Sequence, residues 1–299
     1  MYPVIMHINY MEQGQTIEEI CRKAVKMGYD GVEFRRRRAG KDETPEQYLD
    51  EIGRWSREYG LRYVLFGGPG VNAMTPDRAL IRRELDDYKR FLDLASTRVE
   101  LSILNFFTGP LMDPTVDNTR VAYHLHGSFC AQPWHWESAA AVCQELADYA
   151  APLGVKFAFE THMSYLHDIA ESAKKLCDMI DRPNFGINLD YGNTQYFTCK
   201  VAPLEEAIEI CGDKLFYTHM KNAIQLSRPD ANKNPDMKLM VPSALSEGGI
   251  NHRAYVKKLY QVGFGGPIGI EAPRPGDREW YAKQDLAYIR EVMADIDAE

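Results

Sequence analysis

Short runs of β-branched and aromatic residues alternate along the chain with longer stretches whose apolar residues recur every three to four positions. Few residues separate one run from the next, and that alternation predicts a parallel α/β fold. The first unit is a strand over PVIMHINY followed by the helix IEEICRKAVKM, in which Ile17, Ile20, Cys21, Ala24 and Met27 form one stripe. Thr16 with Glu19 three residues later makes a capping box at its start, and Gly28 ends it. The same unit recurs as GYDGVEF with TPEQYLDEIGRWSREYG, GLRYVLFGG with DRALIRRELDDYKRFLDLAS, and VELSILNF with the more distant ESAAAVCQELADYAAPLG. It continues as VKFAFETH with IAESAKKLCDMI, FGINLDYGN with LEEAIEIC, KLFYTHMKN with INHRAYVKKLYQVG, and GPIGIEAPR with WYAKQDLAYIREVMADI. Eight strand–helix pairs predict a (β/α)8 TIM barrel, and 299 residues fit one such domain spanning 1–299.

Two connections exceed simple turns: Thr108 to Trp136 after strand 4, and Asn222 to Glu247 after strand 7. Both follow strands, so both belong to the C-terminal face of the barrel. Structureless segments of that length in a compact domain serve mostly as lids or binding loops.

Charge narrows the partners. The chain carries 35 basic and 43 acidic residues, a formal net charge of -8, which argues against nucleic acid. The start MYPVIMHINYMEQGQ has neither a basic n-region nor a long apolar run, so neither a signal peptide nor a membrane anchor is expected and the reading is cytoplasmic. Six cysteines without close pairs suit reduced thiols.

Strand ends supply a barrel's active site. Here they carry His7 and Asn9, then Glu33 and Arg35, then Asn105, and afterwards Glu160 with His162, Asp190 with Asn193, His219 with Lys221 and Asn222, and Glu271 with Arg274. Glu160, Asp190, His219 and Glu271 each close an apolar run, where an uncompensated charge is costly. Three converging carboxylates raise one another's pKa unless a cation neutralises them. Three oxygens with one imidazole suit one divalent ion, Mn2+ first, with Mg2+ or Co2+ as alternatives. The competing reading is four separate salt-bridged residues at loop starts.

The stretches FAFETH, GINLDYGN, YTHMKN and SEGGINHRAYVKKLYQVGFGGPIGIEAPR resemble the xylose isomerase-like sugar phosphate isomerase/epimerase superfamily across essentially the whole chain. The resemblance implies that Glu160, Asp190, His219 and Glu271 bind one divalent metal. It matches His219, Lys221 and Asn222 to the family's H-x-K-D-like element, and Ser246-Glu247-Gly248 to its G-E-G turn. It further implies a small carbohydrate substrate, proton abstraction beside a metal-bound carbonyl/hydroxyl pair, and Glu160 and Glu271 as the acid/base pair. Two positions depart from the ketose 3-epimerases: Asn193 stands where they tend to have a substrate-binding His, and Leu166 where they carry a second Glu.

His162, two residues past Glu160, is expected to share its side of the strand. Its role is open between general base, proton relay, further ligand and a histidine satisfied within a loop. Related barrels that cleave C-glycosides after oxidation to a 3-keto sugar resemble this pairing of metal site and histidine, which makes a metal-dependent lyase or dehydratase the alternative activity. Lys221 and Arg274 are candidates for a substrate anion or for local carboxylates. Trp136, with Trp134, Phe106, Phe107, Phe129 and Tyr196, offers rings on which a sugar could stack. Arg35 leads a run of four arginines, open between an anion site and a solvated loop, and His124 with His126 is open between a small strand and a second metal site. No P-loop and no G-x-G-x-x-G is present. A zinc endonuclease of this barrel type fits poorly with so acidic a chain. Homo-oligomers and an accessory subunit are both left open.

Overall fold

In the computed structural model, which describes residues 1–38, 40–116, 123–227 and 238–298, the elements run β1 (Val4–His7), α1 (Ile17–Met27), β2 (Gly31–Arg35), α2 (Pro45–Tyr59), β3 (Tyr63–Gly67), α3 (Arg78–Ser96), β4 (Leu101–Phe106), α4 (Pro133–Ala150), β5 (Lys156–Glu160) and α5 (Ala170–Ile180). They continue with β6 (Phe185–Asp190), α6 (Tyr191–Thr194), α7 (Leu204–Cys211), β7 (Leu215–Met220), β8 (Asn222–Ser227), β9 (Lys238–Ser243), α8 (His252–Gln261), β10 (Ile268–Ile270) and α9 (Arg278–Asp297). Eight strands close in the order β1-β10-β7-β6-β5-β4-β3-β2, every pairing parallel, so the chain is a (β/α)8 TIM barrel. The capping box at Thr16 and Glu19 forms as expected, and α1 stops before Gly28.

Strand parity sets up the site. Ile5, Leu65, Ile103, Ala158 and Tyr217 form a separate apolar cluster inside the barrel. Side chains repeat a face every second residue. Two positions further toward the C-terminal ends, the same inward parity delivers His7, Gly67, Asn105, Glu160 and His219. The outward parity packs against the helices in the main core, where Phe106, Phe157, Phe159 and Phe185 pack ring to ring. Phe106 is therefore a core residue and not part of the mouth.

The long connection after β7 is not structureless. β8 and β9 pair antiparallel from Asn222↔Ser243 to Ser227↔Lys238, a hairpin raised on the C-terminal face. The connection after β4 is tied down elsewhere: Leu111 donates to Ser164 O at 2.8 Å, Gly127 to Leu111 O at 2.8 Å, and Ser128 to Asp168 Oδ2 at 3.0 Å. All six cysteines are free thiols. No helix among the described residues is long and apolar enough to cross a membrane.

Candidate active site

Glu160 at the end of β5, Asp190 at the end of β6, His219 in β7 and Glu271 just after β10 each offer one ligand atom, and these atoms all lie within 4.8 Å of one another. Glu160, Asp190 and His219 are buried and Glu271 is nearly so. His219 organises the cluster. Its Nε2 lies 2.7 Å from Glu33 Oε2, and because a carboxylate only accepts, that nitrogen carries the hydrogen. Its Nδ1 then faces Glu271 Oε2 at 3.1 Å, Glu160 Oε2 at 3.4 Å and Asp190 Oδ2 at 3.8 Å, and makes no hydrogen bond within the protein.

Glu33 is fully buried beneath this cluster rather than at the mouth. It accepts from Tyr217 Oη at 2.8 Å and Asn105 Nδ2 at 3.1 Å besides His219. Gly67 leaves room for it, since a Cβ there would overlap Glu33 Oε1. Asn105 also donates to Glu160 Oε2 at 2.7 Å, and Asn193 donates to the other oxygen, Oε1, at 3.3 Å and to Thr161 O at 2.9 Å. Asn9 donates to Glu271 Oε1 at 3.1 Å, and buried His7 stands 3.9 Å from that same oxygen. Lys221 places its ammonium 2.7 Å from Asp190 Oδ2 and 3.1 Å from Glu271 Oε2. Gly192 permits this approach, because any Cβ there would collide with the Lys221 side chain.

The electrostatics follow from crowding in a dry site. Burial pushes the Asp190 carboxyl up to about 7, although Lys221 pulls against it. Burial and neighbouring Glu271 would also raise Glu160, yet His219 and Lys221 bring it down to about 2. Burial disfavours a charged His219, but Glu33 and Glu160 lift its pKa well above the ordinary imidazole value. Four carboxylates thus crowd around one imidazole and one ammonium, those of His219 and Lys221. A histidine nitrogen without a partner, fixed from behind by a carboxylate and ringed by three carboxylate oxygens, fits a divalent cation of the Mg, Mn or Co kind.

Other expected site residues lie elsewhere. β5 stops at Glu160, so strand parity does not reach His162; its Nδ1 donates to Met163 O at 2.9 Å and its ring packs on Phe107 and Tyr165. Arg274 is turned away from the cluster, giving Nη1 to Asp285 Oδ2, Ala272 O and Ser243 O at 2.9–3.0 Å, with its guanidinium over Tyr281. Trp136 is buried in the first turn of α4 beneath Lys175 Nζ, on the outer side of the barrel. Arg35 sits at the rim, paired with Glu12. Among the described residues His124 and His126 form no strand and no metal site: His124 pairs with Thr198 Oγ1 and His126 accepts from Asp113 N. Asn222 is a loop anchor, with four hydrogen bonds to the backbone of 223–250.

A cleft of about 150 Å3 opens beside the cluster, lined by Asn9, Gln195, Tyr196, Lys221, Pro242, Glu271 and Pro273 among others. Gln195 and Pro242 carried no sequence signal, since they come from the turn after α6 and from the hairpin. Nor did His167, which is buried and fully used: Nδ1 donates to Glu160 O at 2.6 Å and Nε2 accepts Thr108 N–H, an arrangement burial favours by lowering its pKa to about 4.

Comparison with known proteins bears on the fold and the family. The chain is 24% identical over 162 residues to inosose isomerase of Bacillus subtilis (strain 168), a match covering 54% of this chain and 55%, about half, of that relative. A xylose isomerase-like TIM barrel protein from Mycobacterium smegmatis, solved in complex with magnesium, superposes with a TM-score of 0.73 at 18% identity, covering 99% of this chain and 97% of the other. A D-allulose 3-epimerase from Methylomonas sp. gives 0.73 at 17% identity, with coverage of 97% and 98%. The model of the xylose isomerase-like TIM barrel family matches residues 21–292, and the chain belongs to that family.

Proposed function

We propose that this protein is a divalent-metal-dependent sugar isomerase or epimerase, with Glu160 and Glu271 as its acid/base pair. The convergence of Glu160, Asp190, His219 and Glu271 on a histidine nitrogen that no protein group satisfies carries this reading. The activities named for the B. subtilis and Methylomonas relatives support it. A divalent ion, Mn2+ first and Mg2+ or Co2+ otherwise, would supply Lewis acidity toward a carbonyl/hydroxyl pair and so acidify the adjacent C–H.

The chain's own groups do the rest. Glu160 is held at both oxygens by Asn105 and Asn193, and Glu271 by Asn9 at one oxygen and Lys221 at the other. Each carboxylate is thus aimed before substrate arrives, one to take a proton from carbon and the other to return one. Glu33 fixes the tautomer and tilt of His219. Lys221 is placed to steady a substrate oxygen as negative charge builds on it. Asn193, which the ketose epimerases replace by His, here serves Glu160. The six free thiols suit a reducing, cytoplasmic setting.

The test is incubation of Mn2+-loaded protein with D-allulose, D-fructose or D-tagatose in D2O, read by carbon-bound deuterium and by product identity. Exchange with formation of an isomer is expected. Inertness toward every free ketose, together with cleavage of a 3-keto-glycoside, would replace this reading by a lyase.

A further inference from the structure

The β8/β9 ribbon carries its largest aliphatic residues on the face that turns away from the cleft. Its antiparallel register sets Ile224 opposite Val241 and Leu226 opposite Leu239, so four aliphatic side chains share one face. Gln225 and Met240 pair on the other face, and below them Ala223 and Pro242 line the cleft. The four aliphatic residues are 40–50% exposed. A two-stranded ribbon is marginal in water unless such a face is covered.

A second apolar patch stands across the mouth. Met112, Leu125, Phe129 and Trp134, on the connection after β4 and the first turn of α4, are 39–47% exposed. With the ribbon they make eight of the twelve large apolar side chains exposed among the described residues, so this surface is gathered on two connections instead of scattered. In the barrel order β6 and β5 separate β7 from β4 on one side, and β10, β1, β2 and β3 on the other, which sets the two connections on nearly opposite flanks of the mouth.

Magnitude decides what can cover them. The ribbon face offers about 350 Å2, well short of the roughly 800 Å2 per partner of a stable interface. The two patches together offer about 700 Å2 of apolar surface, which with the usual polar rim reaches that size. None of the eight side chains is charged, as in the core of a permanent interface. A second copy of the chain meets both patches by symmetry, because a two-fold axis across the mouth sets the ribbon of each copy on the β4 connection of the other. The arcs over β5 and β6 and over β10 to β3 stay open to substrate.

We infer that two copies of this chain join across the mouth about a two-fold axis, the Ile224, Leu226, Leu239 and Val241 face of each seated on the patch around Phe129 of the other. The ribbon's inner face lines the cleft, so the second copy also braces the cleft wall at Ala223 and Pro242. Such a dimer is independent of the metal and of the reaction.

Analytical ultracentrifugation of the full chain from about 1 to 100 μM tests it. The wild type is expected to sediment as a dimer over most of that range. Leu239→Lys on the ribbon and Phe129→Lys on the β4 connection are each expected to weaken dimerisation at least about thirtyfold, the worth of one buried anchor at an interface. Gln225→Lys, on the opposite face of the same ribbon, is expected to leave the dimer unchanged. All three variants are expected to keep the wild-type far-UV circular dichroism, which separates docking from folding. A wild type that is monomeric throughout overturns the inference, and binding of that monomer to phosphatidylcholine vesicles would give the two patches to a lipid surface instead. A dimer that Leu239→Lys dissociates and Phe129→Lys does not, or one that Gln225→Lys also dissociates, overturns it as well.

Discussion

Glu160 and Glu271 are set apart from surface carboxylates by what holds them. Both are paired with amide donors from other strands or loops, and their neighbours keep Glu160 at about 2 and Glu271 well below the ordinary value although burial opposes it. Replacing either with Gln keeps shape and removes the base. Glu160→Gln and Glu271→Gln are each expected to slow deuterium exchange into the true substrate by roughly 10²–10⁴, the usual worth of one general acid/base group. Glu33 acts one step back. Glu33→Gln is expected to weaken Mn2+ binding about 10–100-fold in calorimetric titration, because the His219 Nε2–H loses its charged acceptor; unchanged affinity would remove Glu33 from that role. At this scale the sequence was most legible where a polar residue closes an apolar run, as Glu160, Asp190 and His219 do. It was least legible past the strand ends. His162, Arg274 and Trp136 all lie where strand parity has lapsed, and contacts remote in sequence decide where they point. Glu33 and Asn105 were visible as inward-facing, but parity gives a side and not a partner, so their support of His219 and Glu160 emerged only from the closed barrel.

Among the elements, the loop after β4 and the start of α5 share one buried acid. Asp168 accepts from Ser128 N at 3.0 Å and Ser172 Oγ at 2.9 Å, and burial lifts its pKa from 3.8 to about 6. The folded protein therefore keeps a proton that the unfolded chain gives up between about pH 4 and 6. Its contribution is fully present below that window and is lost as pH rises through it, by about 3 kcal/mol in full. Chemical denaturation of wild type and Asp168→Asn across that range should show the difference in stability between them shifting with pH, with the amide variant free of the loss; a constant difference would mean that Asp168 stays ionised. Element existence was readable from periodicity and capping, as the Thr16–Glu19 box shows. The β8/β9 hairpin was not, because a two-stranded ribbon inside a long polar connection lacks the flanking helix that marks the barrel strands.

For the whole molecule, closure of the barrel turns separate strand ends into one site. Asp190 and His219 stand in register on neighbouring strands, as do His7 and Glu33, so the polar layer directly caps the apolar one below it. This is why the fold and the four-residue cluster could be read together from the order of the strands, while the cleft's lining could not: it draws on loops whose paths are set only after closure. Four carboxylates gather at this point around one lysine. Everything proposed for the reaction depends on a divalent ion at that point. The most direct measurement is anomalous diffraction from crystals grown with Mn2+. The account predicts one strong peak bonded to Glu160, Asp190, His219 Nδ1 and Glu271 together. Saturating Mn2+ with no peak among these four side chains, or a peak elsewhere on the barrel alone, would contradict it.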